Sequence, residues 1–308
     1  MMNDINWQKE KTLILTQTDP NVDVMFKSWL KYGLYADVIF KNISKPLRAI
    51  RRVVATNLPA NFLAVWLNDW KNELDKYETI IIHASELTSH LPTYIHQINP
   101  QARIIYWYWN PVNSHTLPTL VTDSDVEFWT FDKGDQEKYN MNFNIQYYSG
   151  MDNVKKTKFK NDIYFIGHDK GRKQEIDNIL EKVKDSNLKY RADILSDGSK
   201  NYIPYDTVKK RVLESRAILE VNQQGQKGYT LRALEALFLE KKLITTNKSI
   251  INEDFYSPNN IFVVGIDDWE KLSIIIKSPY DKKVNRFKNE YDVNQWFSNF
   301  FVKNSGTM

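Results

Sequence analysis

The stretch Gln226-Lys227-Gly228-Tyr229-Thr230-Leu231-Arg232-Ala233-Leu234-Glu235-Ala236 decides how the second half of this 308-residue chain folds. It follows the apolar run 217–221 and precedes a second apolar run at 243–246. This order predicts a strand, a glycine-containing loop, a helix and another strand. A glycine loop that leads into a helix start presents backbone N–H groups, which suit the binding of a phosphate.

Short apolar runs alternate with helical patterns along the whole chain, which predicts parallel strands joined by helices and an α/β fold. In the first half, strands are predicted at 12–16, 36–40, 79–83, 103–109, 126–131 and 145–148, and helices at 25–32, 61–77 and 93–98. In the second half, strands are predicted at 162–167, 190–195, 217–221, 243–246 and 261–264, and helices at 173–183, 207–215, 231–239, 269–277 and 292–301.

The polar and basic segment 150–160 separates these two series and is the best candidate for a linker. We therefore expect two doubly wound domains, 1–150 and 151–285, with a cleft between them. In sheets of this kind ligands bind beyond the carboxyl ends of the strands.

The composition excludes several classes of protein. A hydrophobic content of 42% can build real cores, and no apolar run approaches the roughly 20 residues that span a bilayer. The chain has no cysteine, which excludes disulfides and thiolate metal sites. The polar N-terminus lacks the apolar centre of a signal peptide, and a net charge of +4 is not typical of a nucleic-acid-binding protein. We expect a cytoplasmic protein with no nucleic-acid partner.

The basic residues are concentrated between Lys27 and Arg52, where Asp37 is the only acid. The basic residues in between are Lys31, Lys41, Lys45, Arg48 and Arg51, and Trp29, Tyr32, Tyr35 and Phe40 are interleaved with them. A solvated helix face beside a core explains such a segment. So does a surface for anionic lipid headgroups or a phosphorylated lipid. The second interpretation predicts peripheral association with an anionic membrane, at the inner face of the cell membrane.

The first strand of the second half runs into the turn Gly167-His168-Asp169-Lys170-Gly171-Arg172. Cations and backbone donors at a helix start suit a diphosphate, although a basic surface turn has the same sequence. If the sheet is doubly wound, this turn and the loop before Leu231 lie at the same edge, and converging cations favour a bound anion. The predicted donor-binding residues are Gly167, Lys170, Arg172, Asn222, Lys227, Gly228, Thr230, Arg232 and Glu235.

Glu235 has two interpretations of equal weight. A carboxylate one turn into a helix repels phosphate, so it would accept hydrogen bonds from ribose hydroxyls. Alternatively, Glu235 pairs with Arg232, three residues earlier on the same helix.

Gly228, Tyr229, Thr230, Leu231, Glu235 and Ala236 resemble a motif of the bacterial GT-B glycosyltransferases that build capsule, exopolysaccharide and O-antigen chains. These enzymes typically carry Glu-Gly-Phe-Gly-Leu, three residues and then Glu-Ala. Residues 241–247 and 254–261 also look like transferases of this kind, and the likeness covers about 160–265. Lys227 stands where the family has a glutamate that commonly contacts the donor sugar. That contact is not carried over, and a lysine favours the diphosphate instead.

The resemblance implies a GT-B fold, with two Rossmann-like doubly wound domains facing a central cleft. Domain 1–150 would bind the acceptor and domain 151–285 the nucleotide sugar, while segment 286–308 packs back on the first domain. The implied activity is transfer of a sugar, typically a hexose, from a nucleoside diphosphate donor, with UDP-sugars preferred. The implied acceptor is a glycan, in particular a lipid-linked one that is growing into a surface polysaccharide.

Sugar transfer needs positive charge on the departing diphosphate, and basic side chains can supply it without a metal or another cofactor. Asp123-Ser124-Asp125 has the spacing of a metal motif but precedes a strand, so we interpret it as a turn. The acceptor hydroxyl also needs a general base. The candidate catalytic residues are Asp19, Asp23 and Glu86, with His83 as an alternative. Asp19-Pro20 is equally well explained as a turn, and His83 as a core histidine.

Two other functions fit the same residues. A nucleotide-sugar epimerase of GT-B-like fold would convert the donor without an acceptor. A catalytically decayed subunit that binds glycan or nucleotide would release no nucleoside diphosphate, and Lys227 in place of glutamate keeps this alternative open.

Overall fold

The computed structural model describes residues 2–17, 24–149, 157–197, 203–223 and 228–302. The chain divides into two compact units, one of residues 1–145 with 297–308 and the other of residues 146–296. Each unit is built on one parallel sheet. Among the residues that the structure describes, no helix combines the length and the apolarity needed to cross a bilayer.

The first unit contains a six-stranded sheet in the order β2-β1-β3-β4-β5-β6. Its strands are β1 (Thr12–Thr16), β2 (Tyr35–Val38), β3 (Thr79–His83), β4 (Arg103–Tyr108), β5 (Val126–Thr130) and β6 (Asn142–Phe143). Its α-helices are α1 (Met2–Glu10), α2 (Val24–Lys31), α3 (Lys45–Asn57), α4 (Leu91–Ile98) and α5 (Lys133–Tyr139), and short 3₁₀ helices span Ala60–Leu63, Asp69–Lys76 and Pro118–Leu120.

The second unit contains a five-stranded sheet in the order β11-β10-β9-β7-β8. Its strands are β7 (Asn161–His168), β8 (Tyr190–Leu195), β9 (Ser215–Glu220), β10 (Lys242–Thr245) and β11 (Ile261–Val263). Its α-helices are α6 (Lys173–Asp185), α7 (Tyr205–Leu213), α8 (Leu231–Phe238) and α9 (Leu272–Lys277), and 3₁₀ helices span Lys248–Asn252, Trp269–Lys271 and Lys282–Tyr291. Helix α10 (Val293–Asn299) crosses the boundary between the units.

The cores follow from the apolar runs of the sequence. Every residue of β1, β3 and β10 is buried, as is typical of parallel strands covered by helices on both faces. At the C-terminal end of the first unit, Phe300 packs edge-on against Trp107 and Trp129, with ring centroids 5.9 and 5.0 Å away. The predicted fold class, an α/β protein with two doubly wound parallel sheets, is confirmed.

The winding of both sheets creates a defined place for a ligand. In each sheet the first strand lies between the second and the third, so the connections leave the first and third strands in opposite directions. The loops at the carboxyl ends of these two strands diverge and leave a crevice, the topological switch point. In the first unit this point follows β1 and β3, and in the second it follows β7 and β9.

The predicted helix at 61–77 is wrong. The chain instead forms two short 3₁₀ helices, with a non-helical residue, Glu73, inside the second one. The segment between them is held extended because Leu67 bridges Phe40, and the Lys41 N–H donates to the Trp66 carbonyl at 3.0 Å. Long-range backbone pairing therefore overrides the helical spacing of the apolar residues.

Several further elements differ from prediction, among them helices α1 and α5 and the two-residue strand β6, which were not predicted. Residues 145–148 form no strand, and the Tyr148 N–H donates instead to the carbonyl of Tyr291 at 3.0 Å. Helix α3 was not predicted, although Pro46 in its first turn is a typical helix start.

Candidate functional site

A cavity of about 960 Å³ lies at the switch point of the second sheet. Its walls are the turn 170–172 after β7, residues 222–223 after β9, the segment 246–249 after β10 and the first turns of α6. Lys170, Arg172 and Lys248 contribute three cations, whereas Glu175 contributes the one acid of the described lining. The remaining lining includes five amide side chains, on Gln174, Asn178, Asn222, Gln223 and Asn247. The cavity is therefore basic and rich in neutral hydrogen-bonding groups.

The turn after β7 is tight, with Lys170 at φ +48° and Gly171 at φ +75°. The Lys170 N–H donates to Asp197 Oδ1 at 2.9 Å, and the N–H groups of Arg172 and Lys173 donate to the carbonyl and carboxylate oxygens of Asp169. The expectation of free backbone donors in this turn is therefore wrong for these three N–H groups. An anion in this cavity would be bound mainly by side chains.

Arg172 spans the switch point. Its guanidinium donates to the Val221 carbonyl after β9 and to the His168 carbonyl at the end of β7, the latter at 3.1 Å. It also lies over Gly167, where an added Cβ would stand 3.2 Å from Arg172 Nη2. Glycine at 167 thus leaves the space that the guanidinium occupies. Burial lowers the pKa of Arg172 below its usual value.

Within the part of the chain that the structure describes, three buried polar atoms of the lining residues have no hydrogen-bond partner: Arg172 Nε, Asn222 Oδ1 and Asn247 Nδ2. The side chain of Asn247 is almost completely buried, and its Oδ1 is held by the backbone N–H of Ser249 at 3.0 Å. Buried polar groups are nearly always hydrogen-bonded. Two donors and one acceptor that lack partners around one basic cavity therefore indicate a polar, anionic ligand.

Asn222 connects this cavity to the start of α8. Its backbone N–H donates to Thr246 Oγ1 at 2.9 Å, and its Nδ2 donates to the carbonyl of Gly228 at 3.2 Å. Lys170, Arg172 and Asn222 line the cavity, as the sequence predicted for a common edge of the sheet. Gly228, Thr230, Arg232 and Glu235 belong to a second, neighbouring group of contacts. Lys227 lies outside the described residues.

Thr230 caps helix α8, and a buried carboxylate holds it in place. Its hydroxyl accepts from the Arg232 N–H at 3.0 Å. Glu220, the last residue of β9, accepts from the Thr230 N–H at 2.9 Å, from its hydroxyl at 2.6 Å and from the Thr245 hydroxyl at 2.6 Å. Burial raises the pKa of Glu220 above its usual 4.5, against the opposing effect of these hydrogen bonds. Sequence reasoning missed Glu220, although an acid at the end of an apolar strand is the signal that would have found it.

Arg232 pairs with Glu235, which is the second of the two interpretations drawn from the sequence. The carboxylate is 1% exposed, whereas the guanidinium side chain is 27% exposed. The other oxygen of Glu235 accepts from the Tyr205 hydroxyl at 2.9 Å, and the hydroxyls of Tyr205 and Tyr148 lie 2.6 Å apart. Both carboxylate oxygens are thus engaged within the protein, and Arg232 is not an unbalanced cation.

In the first unit, Asp19 and Asp23 lie outside the described residues. The ends of β1 and β3 do meet, because Gln17 donates a hydrogen bond to the Ser85 hydroxyl. Glu86, in the loop after β3, forms an ion pair with Arg52 at 3.2 Å. This arrangement does not test whether Asp19, Asp23 or Glu86 is catalytic. The three catalytic assignments stay predictions.

His83, the alternative base, is a buried histidine at the end of β3. Its ring contacts Trp29 and Trp109, with centroids 5.1 and 5.6 Å away, and its Nε2 has no hydrogen-bond partner among the described residues. Burial lowers the pKa of His83 to about 3, so the imidazole is neutral at physiological pH. These contacts are those of a core histidine.

Within the described ranges, no group of three or more His, Asp or Glu side chains is placed to hold a metal ion. Asp123 accepts from the Asp125 N–H at 3.0 Å and lies 2.8 Å from His96 Nδ1, which agrees with its interpretation as a turn residue. The expectation that the protein needs no metal stays a prediction.

No protein-family model matches this chain, and no curated protein matches it. Among solved structures, the chain is similar to UGT2 of Phytolacca americana in complex with UDP-2-fluoro-glucose and pterostilbene, with 8% identity and a TM-score of 0.42 over 94% of both chains. It is also similar to an α1,3-fucosyltransferase with GDP, with 9% identity and a TM-score of 0.41 over 95% of this chain and 81% of that one.

Proposed function

We propose that this protein is a GT-B glycosyltransferase that binds a nucleoside diphosphate sugar in the cavity after β7, β9 and β10. The observation that carries the proposal is the convergence there of three cations with the unpartnered atoms Arg172 Nε, Asn222 Oδ1 and Asn247 Nδ2. A diphosphate supplies acceptors for the donors and negative charge for the cations, while sugar or ribose hydroxyls supply a donor for Asn222.

The basic residues have a role in the chemical step as well as in binding. When the bond between the sugar and the diphosphate breaks, negative charge develops on the leaving group. Lys170 and Lys248, which both line the cavity, can stabilise that charge, and such electrostatic stabilisation contributes strongly to catalysis. Arg172 is fixed by two backbone carbonyls, so it provides a preorganised charge rather than a mobile one. No metal is needed in this scheme.

The finer assignments are also proposals. We propose UDP-sugars as donors, a hexose as the transferred group, and a lipid-linked glycan that grows into a surface polysaccharide as the acceptor. The first unit would bind the acceptor, because a switch point follows β1 and β3 of its sheet. Asp19 or Asp23, which come after β1 in the sequence, or Glu86 after β3 would accept the proton of the acceptor hydroxyl. A cytoplasmic location at the inner membrane face fits this acceptor.

Isothermal titration calorimetry with UDP, GDP and their sugars tests the site. Lys170→Gln removes one cavity cation and should weaken nucleoside diphosphate binding by about tenfold, equivalent to about 1.4 kcal/mol. Lys189→Gln is the matched control. Lys189 is an exposed lysine that precedes β8, so it lies at the amino ends of the strands, whereas the cavity lies at their carboxyl ends. Absence of nucleotide binding by the wild type, or equal affinities for both variants, would overturn the assignment.

Product analysis then tests the activity. With donor and a glycan acceptor, a transferase releases nucleoside diphosphate in step with glycan extension. An epimerase would convert the donor sugar without acceptor, and a decayed subunit would bind donor and release nothing. Either of the last two results would replace the proposed function while leaving the binding site intact.

A further inference from the structure

Helix α3 is almost wholly exposed. Ala55 is its one fully buried residue, and the large apolar side chains Leu47, Ile50 and Val53 are 43%, 52% and 57% exposed. Their spacing of three residues places them on one stripe of the helix. In a water-soluble protein such a stripe normally faces the core, but here it faces solvent.

The side that α3 turns towards the unit carries an arginine instead. The Arg51 guanidinium lies 4.5 Å from the ring centroid of Phe40, and its Nη1 donates to the Lys41 carbonyl at 3.3 Å. Burial lowers the pKa of Arg51 below its usual value. Arg51 packs inward beside the buried Ala55, whereas Leu47, Ile50 and Val53 are exposed, so the apolar stripe of α3 is not the side that packs on the unit.

The segment that follows the helix also exposes large apolar side chains. Leu58, Phe62 and Val65 are 37%, 52% and 68% exposed. Residues 47–65 thus contribute six of the 17 exposed large hydrophobic side chains found in the part of the chain that the structure describes. Apolar surface concentrated in this way marks a binding face, whereas scattered exposed residues need no explanation. We call residues 45–65 the α3 face.

The charges carried by the α3 segment itself have one sign, and Glu86, from the loop after β3, pairs with Arg52 at 3.2 Å. Between Asp37 and Asp69 the sequence contains no acidic residue and five basic ones, Lys41, Lys45, Arg48, Arg51 and Arg52. Lys45 and Arg48 are exposed beside the apolar stripe, and the Lys41 ammonium donates to the Val65 carbonyl at 3.3 Å, which places it at the far end of the face. Lysine and arginine at these positions can extend their charged ends towards phosphate groups while their stems cover apolar surface.

We propose that the α3 face docks on an anionic lipid bilayer, with α3 lying in the interface. An apolar stripe flanked by basic residues fits such a surface, since the stripe enters the acyl boundary and the cations meet anionic headgroups. A second copy of this chain fits poorly, because two α3 faces would bring like charges together. The surface differs from the segment that the sequence indicated, since Trp29 and Phe40 are buried.

Vesicle co-sedimentation of the full chain, without nucleotide, tests the docking separately from the proposed sugar transfer. The wild type should bind vesicles of phosphatidylcholine with about 30% phosphatidylglycerol and should bind pure phosphatidylcholine much more weakly. Ile50→Ser with Val53→Ser should lower binding by about tenfold or more, because both side chains would otherwise be buried in the interface. Both residues are exposed, so circular dichroism should show an unchanged fold.

Two controls separate apolar from electrostatic contributions. Lys45→Gln with Arg48→Gln should weaken binding to anionic vesicles and reduce its dependence on salt. Ile274→Ser, which changes a 71% exposed isoleucine on α9, should bind like the wild type. Failure of the wild type to bind anionic vesicles overturns the proposal. An equal loss of vesicle binding in all three variants overturns it as well. Concentration-dependent dimerisation that Ile50→Ser with Val53→Ser abolishes, without vesicle binding, would assign the face to a second copy.

Discussion

The carboxylate of Glu220 accepts two hydrogen bonds from Thr230, from its backbone N–H at 2.9 Å and from its hydroxyl at 2.6 Å. A third hydrogen bond, from the Thr245 hydroxyl, binds the same carboxylate to the end of the neighbouring strand β10. One buried acid therefore fixes the start of helix α8 to two strands of the sheet, next to the cavity that Asn222 lines. The geometry of the site depends on this residue even though Glu220 is not among the residues that line the cavity.

Glu220→Gln should make stability less dependent on pH. Burial raises the folded-state pKa of Glu220 above 4.5, so the folded protein retains this proton at pH values where the unfolded chain has lost it. The contribution of Glu220 to stability is therefore greatest at low pH and falls as the pH rises from about 4.5 towards the folded-state pKa. Urea unfolding at several pH values should show that the wild type loses stability relative to Glu220→Gln over this range. A difference between the two proteins that stays constant with pH would contradict this.

Gly167→Ala should weaken nucleotide binding without unfolding the protein. An added Cβ would lie 3.2 Å from Arg172 Nη2 and 3.2 Å from the ring of Phe165, so the guanidinium has to shift from its position over the strand end. We expect a loss of affinity for nucleoside diphosphates of about tenfold. Gly33→Ala is the control: Gly33 has φ +73° with open space around it, so alanine there costs stability and leaves the affinity unchanged. Equal affinity of Gly167→Ala and the wild type would argue against a binding role for Arg172.

Glu235→Gln should act mainly on stability. Its carboxylate is buried between Arg232 and the Tyr205 hydroxyl, and losing the charge leaves the arginine without its partner. The free energy of unfolding should fall by about 2 kcal/mol, as is typical of hydrogen bonds to charged groups. A double-mutant cycle with Arg232→Gln should give a coupling of about 1 kcal/mol or more. If Glu235→Gln instead kept its stability and lost nucleotide affinity, the ribose interpretation would be favoured.

The buried His83 should destabilise the protein in mild acid. Its folded-state pKa is lowered to about 3 from the usual 6.5, so below pH 6.5 the unfolded chain takes up a proton that the folded protein does not. Stability is then lost as the pH falls from 6.5 towards 3, by about 2 kcal/mol at pH 5. His83→Phe should remove this component of the pH dependence in urea titrations, whereas His115→Gln, a change at an exposed histidine, should retain it. Identical pH profiles for the wild type and His83→Phe would show that the histidine is not held neutral.

The sequence located part of the candidate site. Lys170 and Arg172 were found from a glycine-containing turn after a strand, and they do line the cavity together with Asn222. Asn247 and Lys248 were missed because polar residues after β10 have no local signal that separates them from an ordinary loop. Their proximity to the turn after β7 depends on the order β10-β9-β7 in the sheet, which places strands that are far apart in sequence side by side.

Helix α3 shows a different limit of sequence reasoning. The apolar spacing in 45–57 is that of a helix, and periodicity normally implies that the apolar stripe is buried. In the folded unit, Arg51 takes the inward position over Phe40 and the stripe remains outside. Which side of a helix faces the core is decided by the surface against which it packs, and that surface is built from other parts of the chain.

The sequence by itself determined the two parallel sheets. Strands that are covered by helices on both faces need continuous apolar runs that alternate with helical segments. This alternation can be recognised in short stretches of sequence, without knowledge of the tertiary contacts. Only the tertiary structure decided the partners of the polar groups. Glu235 accepts from the Tyr205 hydroxyl, Glu220 holds Thr230, and the Lys170 N–H donates to Asp197. A hydrogen bond needs two groups within about 3 Å, and residues that lie 10 to 30 positions apart reach that distance only once the sheet has brought them together.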